Sequence, residues 1–198
     1  MEPAFRKDLG HLTWDEVWRR QVQRADLVPA WLDALALRPG MRVLDVGAGP
    51  GYVSQQLAVR VGEEGVVLAL DRAPGAIEYL ERLRDEQHLP RLRPILADTE
   101  RLDLSGEAIE AALVTMMLHH AEDPAGLLRN VAGWLAAGVR AVVAEFDPAG
   151  PCTSGPPREH RLSPQQVGRL CEQAGLSPLL QRQQTPEHYM LLVERCER

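Results

Sequence analysis

This sequence has little lysine, cysteine or aromatic side chain, and it contains no long apolar run. Lys7 is the only lysine, aromatic residues make up 5%, and the cysteines are Cys152, Cys171 and Cys196. The cysteines lie far apart and match no zinc-binding spacing, so we predict reduced thiols and no metal site. No segment approaches the apolar length of a membrane span, and no apolar core of a signal peptide follows the first residues. We therefore expect a cytoplasmic protein without a membrane span.

The charge balance argues against a nucleic-acid partner. The 198 residues carry a net charge of -6, with 45% hydrophobic and 25% charged residues. These fractions are ordinary for a globular protein, and the length fits one domain with a sizeable core. An acidic chain lacks the basic surface that general nucleic-acid binders use. We therefore expect no nucleic-acid ligand.

The most informative stretch begins with a short apolar run at 43–46 and continues through three alternating glycines. The run is typical of a strand that is buried on both faces. Gly47, Gly49 and Gly51 follow it, and the next segment, 52–61, has apolar residues at helical spacing. The pattern predicts a strand, a glycine turn and a helix. Such a turn lets bare backbone approach a ligand, and the helix N-terminus offers N–H groups to an anion.

Acidic residues follow the next two predicted strands. Asp71 ends the second apolar run and lies about 20 positions after Gly51, where an acid can accept hydrogen bonds from ribose hydroxyls. The alternative is that Asp71 caps the helix that begins near Pro74. Asp98 stands at the end of the third run.

Apolar runs alternate with helix-like segments along most of the chain. Capping-box patterns begin helices at Thr13 and at Ser163. This alternation predicts an α/β protein with a largely parallel sheet, in which the last two strands form an antiparallel hairpin. The predicted strands are 43–46, 66–70, 94–97, 111–116, 138–145, 176–180 and 189–194. The predicted helices include 27–37, 74–87 and 123–137.

Two motifs resemble those of the class I S-adenosylmethionine (SAM) dependent methyltransferases. They are [D/E]-x-G-x-G-x-G at Asp45–Gly51 and LHH-x-x-DP at Leu118–Pro124. The resemblance covers 38–195 and is to the ubiquinone/menaquinone-biosynthesis-type branch. It implies a Rossmann-like three-layer sandwich with a seven-stranded, mostly parallel sheet whose last strand is antiparallel. It also implies an N-terminal helical cap, 1–37, on a SAM-binding domain, 38–198.

The resemblance further implies SAM as the cofactor and S-adenosylhomocysteine as the product. The implied partner is a small-molecule methyl acceptor, and we expect a monomer or a homodimer. Asp45 would support the turn and the methionyl ammonium group, Asp71 would bind the ribose, and Asp98 would bind the adenine. The residues predicted to bind the cofactor are Asp45, Gly47, Ala48, Gly49, Gly51, Tyr52, Asp71, Arg72, Asp98, Thr99 and Met116.

The adjacent His119 and His120 are candidates for a general base, because histidine titrates near neutral pH. One member of such a pair is expected to point into the structure, and we prefer His120 as the base. A transfer that needs only proximity is the alternative. The predicted acceptor pocket contains Trp14, Trp18, Glu145 and His160. Alternatively, the tryptophans are core anchors and His160 lies on the surface.

Three functions are open from the sequence. The main prediction is an enzyme, a SAM-dependent methyltransferase (EC 2.1.1.-) that moves a methyl group to a small molecule by in-line displacement. The second is a protein that binds SAM without catalysis, for which a filled acceptor pocket would be evidence. An NAD-dependent oxidoreductase is less favoured, because the dinucleotide pattern requires a glycine at the position of Tyr52. Dehydrogenases also have no general need for Asp98.

Overall fold

The strands form a central sheet, and helices cover both of its faces. The computed structural model describes residues 11–99, 102–104 and 106–197. In these ranges the strands are β1 Arg42–Val46, β2 Val66–Asp71, β3 Leu92–Leu96, β4 Ile109–Thr115, β5 Leu135–Phe146, β6 Leu176–Thr185 and β7 His188–Arg195. The α-helices are α1 Trp14–Val22, α2 Val28–Ala34, α3 Tyr52–Val61, α4 Pro74–Glu86, α5 Pro124–Trp134 and α6 Pro164–Gln173. Short 3-10 turns occupy Ala25–Leu27, Leu118–His120 and Arg158–His160.

The strand order across the sheet is β3-β2-β1-β4-β5-β7-β6. β1 pairs in parallel with β2 and β4, and β7 pairs antiparallel with β5 and β6. The predicted seven-stranded, mostly parallel sheet and the predicted final hairpin are therefore confirmed. The strand order reverses between β1 and β4, because β2 and β3 lie on one side of β1 and the later strands on the other. Ligands of open α/β sheets bind at the carboxyl ends of strands at such a switch point.

Each face of the sheet has its own apolar core. Leu44 and Val46 of β1 pack with residues of α5 and α6, whereas Val43 packs with residues of α2, α3 and α4. All three side chains are fully buried, as expected for a central parallel strand that helices cover on both faces. Trp31 of α2 is buried in the same core as Val43. The described part of the predicted cap is thus packed on the rest of the fold.

Two predicted helices end earlier than the sequence suggests. The helix predicted over 27–37 stops where Ala36 adopts a left-handed φ of 51°. The helix predicted over 123–137 stops where Leu135 becomes extended and pairs with the first residue of β4. β5 therefore begins before residue 138. In the second case the hydrogen bonds of the sheet replace those of the last helical turn.

Both predicted capping boxes are present. Thr13 Oγ1 accepts from the backbone N–H of Glu16 at 3.3 Å, and Glu16 accepts from the Thr13 N–H at 2.8 Å. Ser163 and Gln166 make the same pair of bonds at 3.2 and 2.8 Å. None of the helices in the described ranges is both long and apolar enough to cross a membrane. Residues 1–10 of the predicted cap lie outside the described ranges, and the division of the chain at residue 37 stays a prediction.

Candidate active site

A cavity of about 1210 Å³ opens at the carboxyl ends of β1, β2 and β4. Its wall consists of the glycine turn after β1, the segments after β2, β3 and β4, one face of α1, and the loop 154–157. Pockets for one drug-sized ligand usually have volumes of about 300–1,000 Å³. The cavity therefore has room for two small molecules side by side. It lies at the switch point of the sheet.

The glycine turn presents backbone to this cavity. Gly47, Gly49 and Gly51 have φ values of 71°, 56° and 98°, which glycine adopts without steric cost. The N–H groups of Gly47 and Ala48 donate to the carbonyl of Leu70 at 2.8 and 3.0 Å, which fixes the turn on β2. Gly47 and Gly49 lie on the cavity wall. The predicted strand, turn and helix are thus all present.

Gly51 has different surroundings from the other two glycines. It is the N-cap of α3, and a Cβ atom on it would lie 2.2 Å from Cδ2 of Leu80. The described residues that line the cavity do not include Gly51, Ala48 or Tyr52. Because Gly51 has no side chain, α4 can pack against the turn. The prediction from the sequence was instead that Gly51 binds the cofactor.

Asp71 connects the glycine turn to the segment before α4. Its two carboxylate oxygens accept hydrogen bonds from the N–H groups of Gly49 at 2.8 Å and Ala73 at 2.9 Å. Burial raises the pKa of Asp71, and these hydrogen bonds oppose the increase without cancelling it. Asp71 also lies on the cavity wall. Each carboxylate oxygen has more than one lone pair, so the anchoring bonds leave capacity for ribose hydroxyls.

Asp45 is buried behind the glycine turn. It is 2% exposed and accepts a hydrogen bond from the Ser54 hydroxyl of α3 at 2.6 Å. The described cavity wall does not include it. Asp45 therefore lies behind the turn, and its predicted contact with the methionyl ammonium group stays a prediction. Burial raises the pKa of Asp45 to about 6, and the charge of Asp71 adds to this increase, against the hydrogen bond from Ser54.

Replacing Asp45 by asparagine is expected to raise the free energy of unfolding by about 2 kcal/mol at neutral pH. Because the folded protein holds the Asp45 proton more tightly than the unfolded chain, the folded state loses stability relative to the unfolded chain as the pH rises from about 4 to about 6. Asparagine stays neutral and still accepts from Ser54. Urea unfolding curves at neutral pH and near pH 4 measure the effect, which should vanish at the lower pH. The exposed Asp26→Asn is the control, and an equal gain at both pH values would contradict this account.

The other residues predicted to bind the cofactor are on the cavity wall. They are Arg72, Asp98, Thr99 and Met116. The Thr99 carbonyl accepts from the side chain of Asn130 at 3.0 Å, which ties the segment after β3 to α5. Met116 has a φ of 54°, an uncommon value for a residue with a side chain. Its N–H donates to the carbonyl of Ala144 at 2.8 Å, so the end of β4 is held against β5 in this conformation.

His119 and Glu145 form a buried pair at the ends of β4 and β5. His119 Nδ1 lies 2.7 Å from Glu145 Oε2, and the two residues are 6% and 0% exposed. The carboxylate also accepts from the backbone N–H groups of Phe146 at 3.2 Å and His119 at 3.4 Å. Burial acts to raise the pKa of Glu145, but the charge of His119 and the hydrogen bonds outweigh it, so the pKa lies below its ordinary value.

An ionised Glu145 fixes the chemistry of the imidazole. The carboxylate accepts the Nδ1 proton of His119, so a neutral ring keeps its lone pair on Nε2. His119 lies on the cavity wall, and His120 lies beside it with ring centroids 4.1 Å apart. Glu145 was predicted to line the acceptor pocket, but it lies behind His119 and is absent from the described cavity wall.

Of the remaining residues predicted to form the acceptor pocket, one lines the cavity and two do not. Trp14 lies on the cavity wall. Trp18 and His160 do not belong to the described wall. Trp18 stacks on Tyr79 with ring centroids 5.9 Å apart, and it meets the edge of Tyr52 at 5.5 Å, as an anchor between α1, α3 and α4 would. His160 lies in a 3-10 turn at the end of the proline-rich loop.

Sequence reasoning missed several residues of the wall, among them Gln21, Arg24 and Phe146. Gln21 of α1 donates to the carbonyl of Ala48 at 2.9 Å and accepts from the N–H of Tyr52 at 2.9 Å, so it clamps α1 to the glycine turn. Arg24 and Phe146 face each other across the end of β5, with the guanidinium carbon 5.5 Å from the ring centroid. The only signal in the sequence was the position of Gln21 on the face of α1 that also carries Val17.

Arg161, which is 5% exposed, holds together the loop that follows β5. Its guanidinium donates to the carbonyls of Pro156 at 2.9 Å and Asp147 at 3.1 Å, and also to that of Ser154. It also lies 5.2 Å from the ring centroid of Phe146. These contacts define the conformation of the loop, whose residues 154–157 line the cavity.

With this geometry in view, the family can be assigned. The family described as a methyltransferase domain matches residues 37–191. The chain belongs to the class I SAM-dependent methyltransferase family. The resemblance predicted from the two motifs is thus confirmed, and SAM is the cofactor that this family uses.

Relatives and solved structures agree with this family. The demethylmenaquinone methyltransferase of Beutenbergia cavernae is 33% identical over 140 residues, which cover 70% of this chain and 51% of the relative. This chain spans about half the length of such curated relatives. A SAM-dependent methyltransferase from Aquifex aeolicus has a similar fold, with a TM-score of 0.78, 21% identity, and coverage of 84% of this chain and 88% of that one. The [4+2]-cyclase SpnF also has it, with a TM-score of 0.75, 15% identity, and coverage of 97% and 86%.

Proposed function

We propose that the chain transfers a methyl group from SAM to a small molecule bound beside His119. The observation that carries this proposal is the extent of the cavity. It runs without a break from Gly47, Gly49 and Asp71 at one end to His119 and Phe146 at the other. A cofactor and an acceptor can therefore lie in contact, which in-line displacement requires.

The residues at the first end fit SAM. A Cβ atom on Gly49 would lie 3.1 Å from Gln21 Nε2, and one on Gly47 would lie 3.0 Å from Met117, so side chains there would close the cradle. Asp71 would accept hydrogen bonds from the ribose. Asp98 would accept from the adenine amine, and the Thr99 N–H would donate to a ring nitrogen. Asp45 acts from behind the turn and has no direct contact with the cofactor in this proposal.

SAM supplies a methyl group on a sulfonium when it is bound. The protein has to hold the acceptor atom in line, exclude water and, where the acceptor must lose a proton, take that proton away. His119 is suited to the last task, because Glu145 holds its Nδ1 proton and orients the ring toward the cavity. We therefore propose His119 as the general base in place of His120. Glu145 acts as its positioning residue.

A protein that binds SAM without catalysis is the second candidate. A filled acceptor side would favour it, but the cavity continues past the glycine turn to Phe146. The fold alone does not decide between reactions, since the [4+2]-cyclase SpnF shares it. The open acceptor side supports methyl transfer. We further propose a small-molecule acceptor related to the quinone precursors that the Beutenbergia relative is named for. The cytoplasmic location and the monomeric or dimeric state stay predictions.

Calorimetric titration with S-adenosylhomocysteine and, separately, with NAD tests the cofactor site. We expect micromolar binding of the first and none of the second. Incubation with radiolabelled SAM and a panel of hydroxylated aromatics that includes demethylmenaquinol then tests the transfer. Binding of S-adenosylhomocysteine with no labelled product across the panel would favour the second candidate, and binding of NAD alone would contradict the cofactor site.

Replacing Asp98 by alanine is expected to weaken S-adenosylhomocysteine binding by about tenfold to a hundredfold, the usual value of a hydrogen bond to a charged group. The variant should fold normally, because Asp98 is exposed at the cavity rim. Asp85→Ala removes an exposed carboxylate of α4 outside the cavity wall and is the matched control. Equal affinities of the two variants would show that Asp98 does not bind the adenine.

A further inference from the structure

Arg24 places a partly buried positive charge on the acceptor side of the cavity. It follows the end of α1, lies on the cavity wall, and is partly buried, with its guanidinium over the face of Phe146. Within the described ranges, the structure gives this guanidinium no hydrogen bond and no ion pair. A buried charge without a partner is costly, so an anion that enters the cavity would gain a strong, charge-assisted contact.

The neighbouring carboxylate of Glu145 does not form an ion pair with Arg24 in the described structure. Glu145 is close enough to act on its charge, but the carboxylate accepts hydrogen bonds from the ring and N–H of His119 and from the N–H of Phe146. Burial lowers the pKa of Arg24 to about 10, and the charge of Arg20 adds to this decrease, whereas Glu145 opposes it. The guanidinium is therefore still charged at neutral pH, in surroundings that carry too little negative charge for it.

The wall around Arg24 is apolar. Val28 and Trp31 are 3% and 1% exposed, and both line the cavity, as Phe146 does. Trp31 is held in place because its Nε1–H donates to Gln184 at 2.7 Å. A ligand at this end would thus meet aromatic and aliphatic surface beside the guanidinium of Arg24, with Arg20 as a second cation of the cavity wall.

We propose that the methyl acceptor has an apolar body and an anionic oxygen group, a carboxylate or an ionised hydroxyl, which binds Arg24. This inference rests on the proposed function and names the chemical class of its acceptor. The carboxylate of the cofactor's amino-acid part is the other possible source of an anion. Gln21, three residues before Arg24, donates to the carbonyl of Ala48 in the glycine turn, whereas Arg24 contacts Phe146 at the end of β5. Arg24 therefore lies on the acceptor side.

The test compares 1-naphthoate with the neutral 1-naphthamide on protein saturated with S-adenosylhomocysteine. We expect naphthoate to bind about tenfold more tightly, as charge-assisted hydrogen bonds predict. Arg24→Gln should abolish this preference. Arg24→Lys keeps the charge and should retain part of it, which also guards against a folding defect in the first variant. Arg19→Gln removes an exposed arginine of α1 outside the cavity wall and should leave the preference unchanged.

Several outcomes would overturn the inference. Equal affinity for the two probes, no binding of either at millimolar concentration, or a preference that survives in Arg24→Gln would each contradict it. A loss of S-adenosylhomocysteine affinity in Arg24→Gln, without a naphthoate preference in the unmodified protein, would assign Arg24 to the cofactor instead. A failure of the proposed function would look different. In that case S-adenosylhomocysteine would not bind, but the protein alone would still prefer naphthoate to naphthamide.

Discussion

Replacing His119 by alanine is expected to lower methyl-transfer turnover by about 10² to 10⁴-fold, the usual contribution of a general base. The affinity for S-adenosylhomocysteine should change by less than about twofold, because a lost transition-state contact does not alter ground-state binding. The measurement is single-turnover transfer of labelled methyl to the acceptor that the panel identifies, with calorimetry for affinity.

His120→Ala is the matched comparison for this prediction. It removes the same type of side chain from the same part of the wall. In the described structure, however, Glu145 hydrogen-bonds to the ring of His119 and not to that of His120. We expect a clearly smaller loss of turnover. A larger loss in His120→Ala would restore the preference drawn from the sequence, and small losses in both variants would show that proximity suffices.

Glu145→Gln separates positioning from proton transfer. An amide still fills the space, but it does not hold the Nδ1 proton as a carboxylate does, so part of the turnover should be lost. Ring ¹⁵N chemical shifts should show the Nδ1–H tautomer of His119 in the unmodified protein and a mixture in the variant. The pKa of Glu145 is lowered in the folded state, so its contribution to stability is present at neutral pH and disappears as the pH falls through that lowered pKa.

The cofactor end of the site could be predicted from the sequence because each part depends on local pattern. The glycine turn follows from three glycines after an apolar run, and Asp71 and Asp98 follow from the ends of two strands. Parallel strands bring their carboxyl ends to one edge of the sheet, so these residues had to lie together. The prediction for Glu145 was only that it lines the acceptor pocket; its contact with His119 follows from the neighbouring positions of β4 and β5.

The direction of side chains could not be predicted in this way. His119 contacts Glu145, 26 positions away, because the chain turns at Met116, which has a left-handed φ. The apolar pattern of the sequence does not predict such a turn. Arg24 was missed for a related reason. It lies at helical spacing from Gln21 and Val17, and a sequence does not say which cavity that face of α1 covers.

Gly51→Ala is expected to lower the free energy of unfolding by about 2 to 4 kcal/mol, from backbone strain at positive φ plus overpacking. The new Cβ would lie 2.2 Å from Leu80 Cδ2 and 3.2 Å from Leu83 Cδ2. Leu80 is 0% exposed, so its side chain has no free space into which to move. In a domain of this size, each kcal/mol corresponds to roughly 2 to 4 °C of melting temperature, which thermal unfolding can resolve.

Gly40→Ala is the control that separates strain from overlap. Gly40 has a φ of 87°, close to the 98° of Gly51, but a Cβ there meets nothing within 4 Å. It should therefore cost about 1 kcal/mol, from backbone strain alone. Equal losses in the two variants would mean that α4 yields to the new methyl group. A larger loss at Gly51 would mean that this glycine is required by the packing of α4 on the turn.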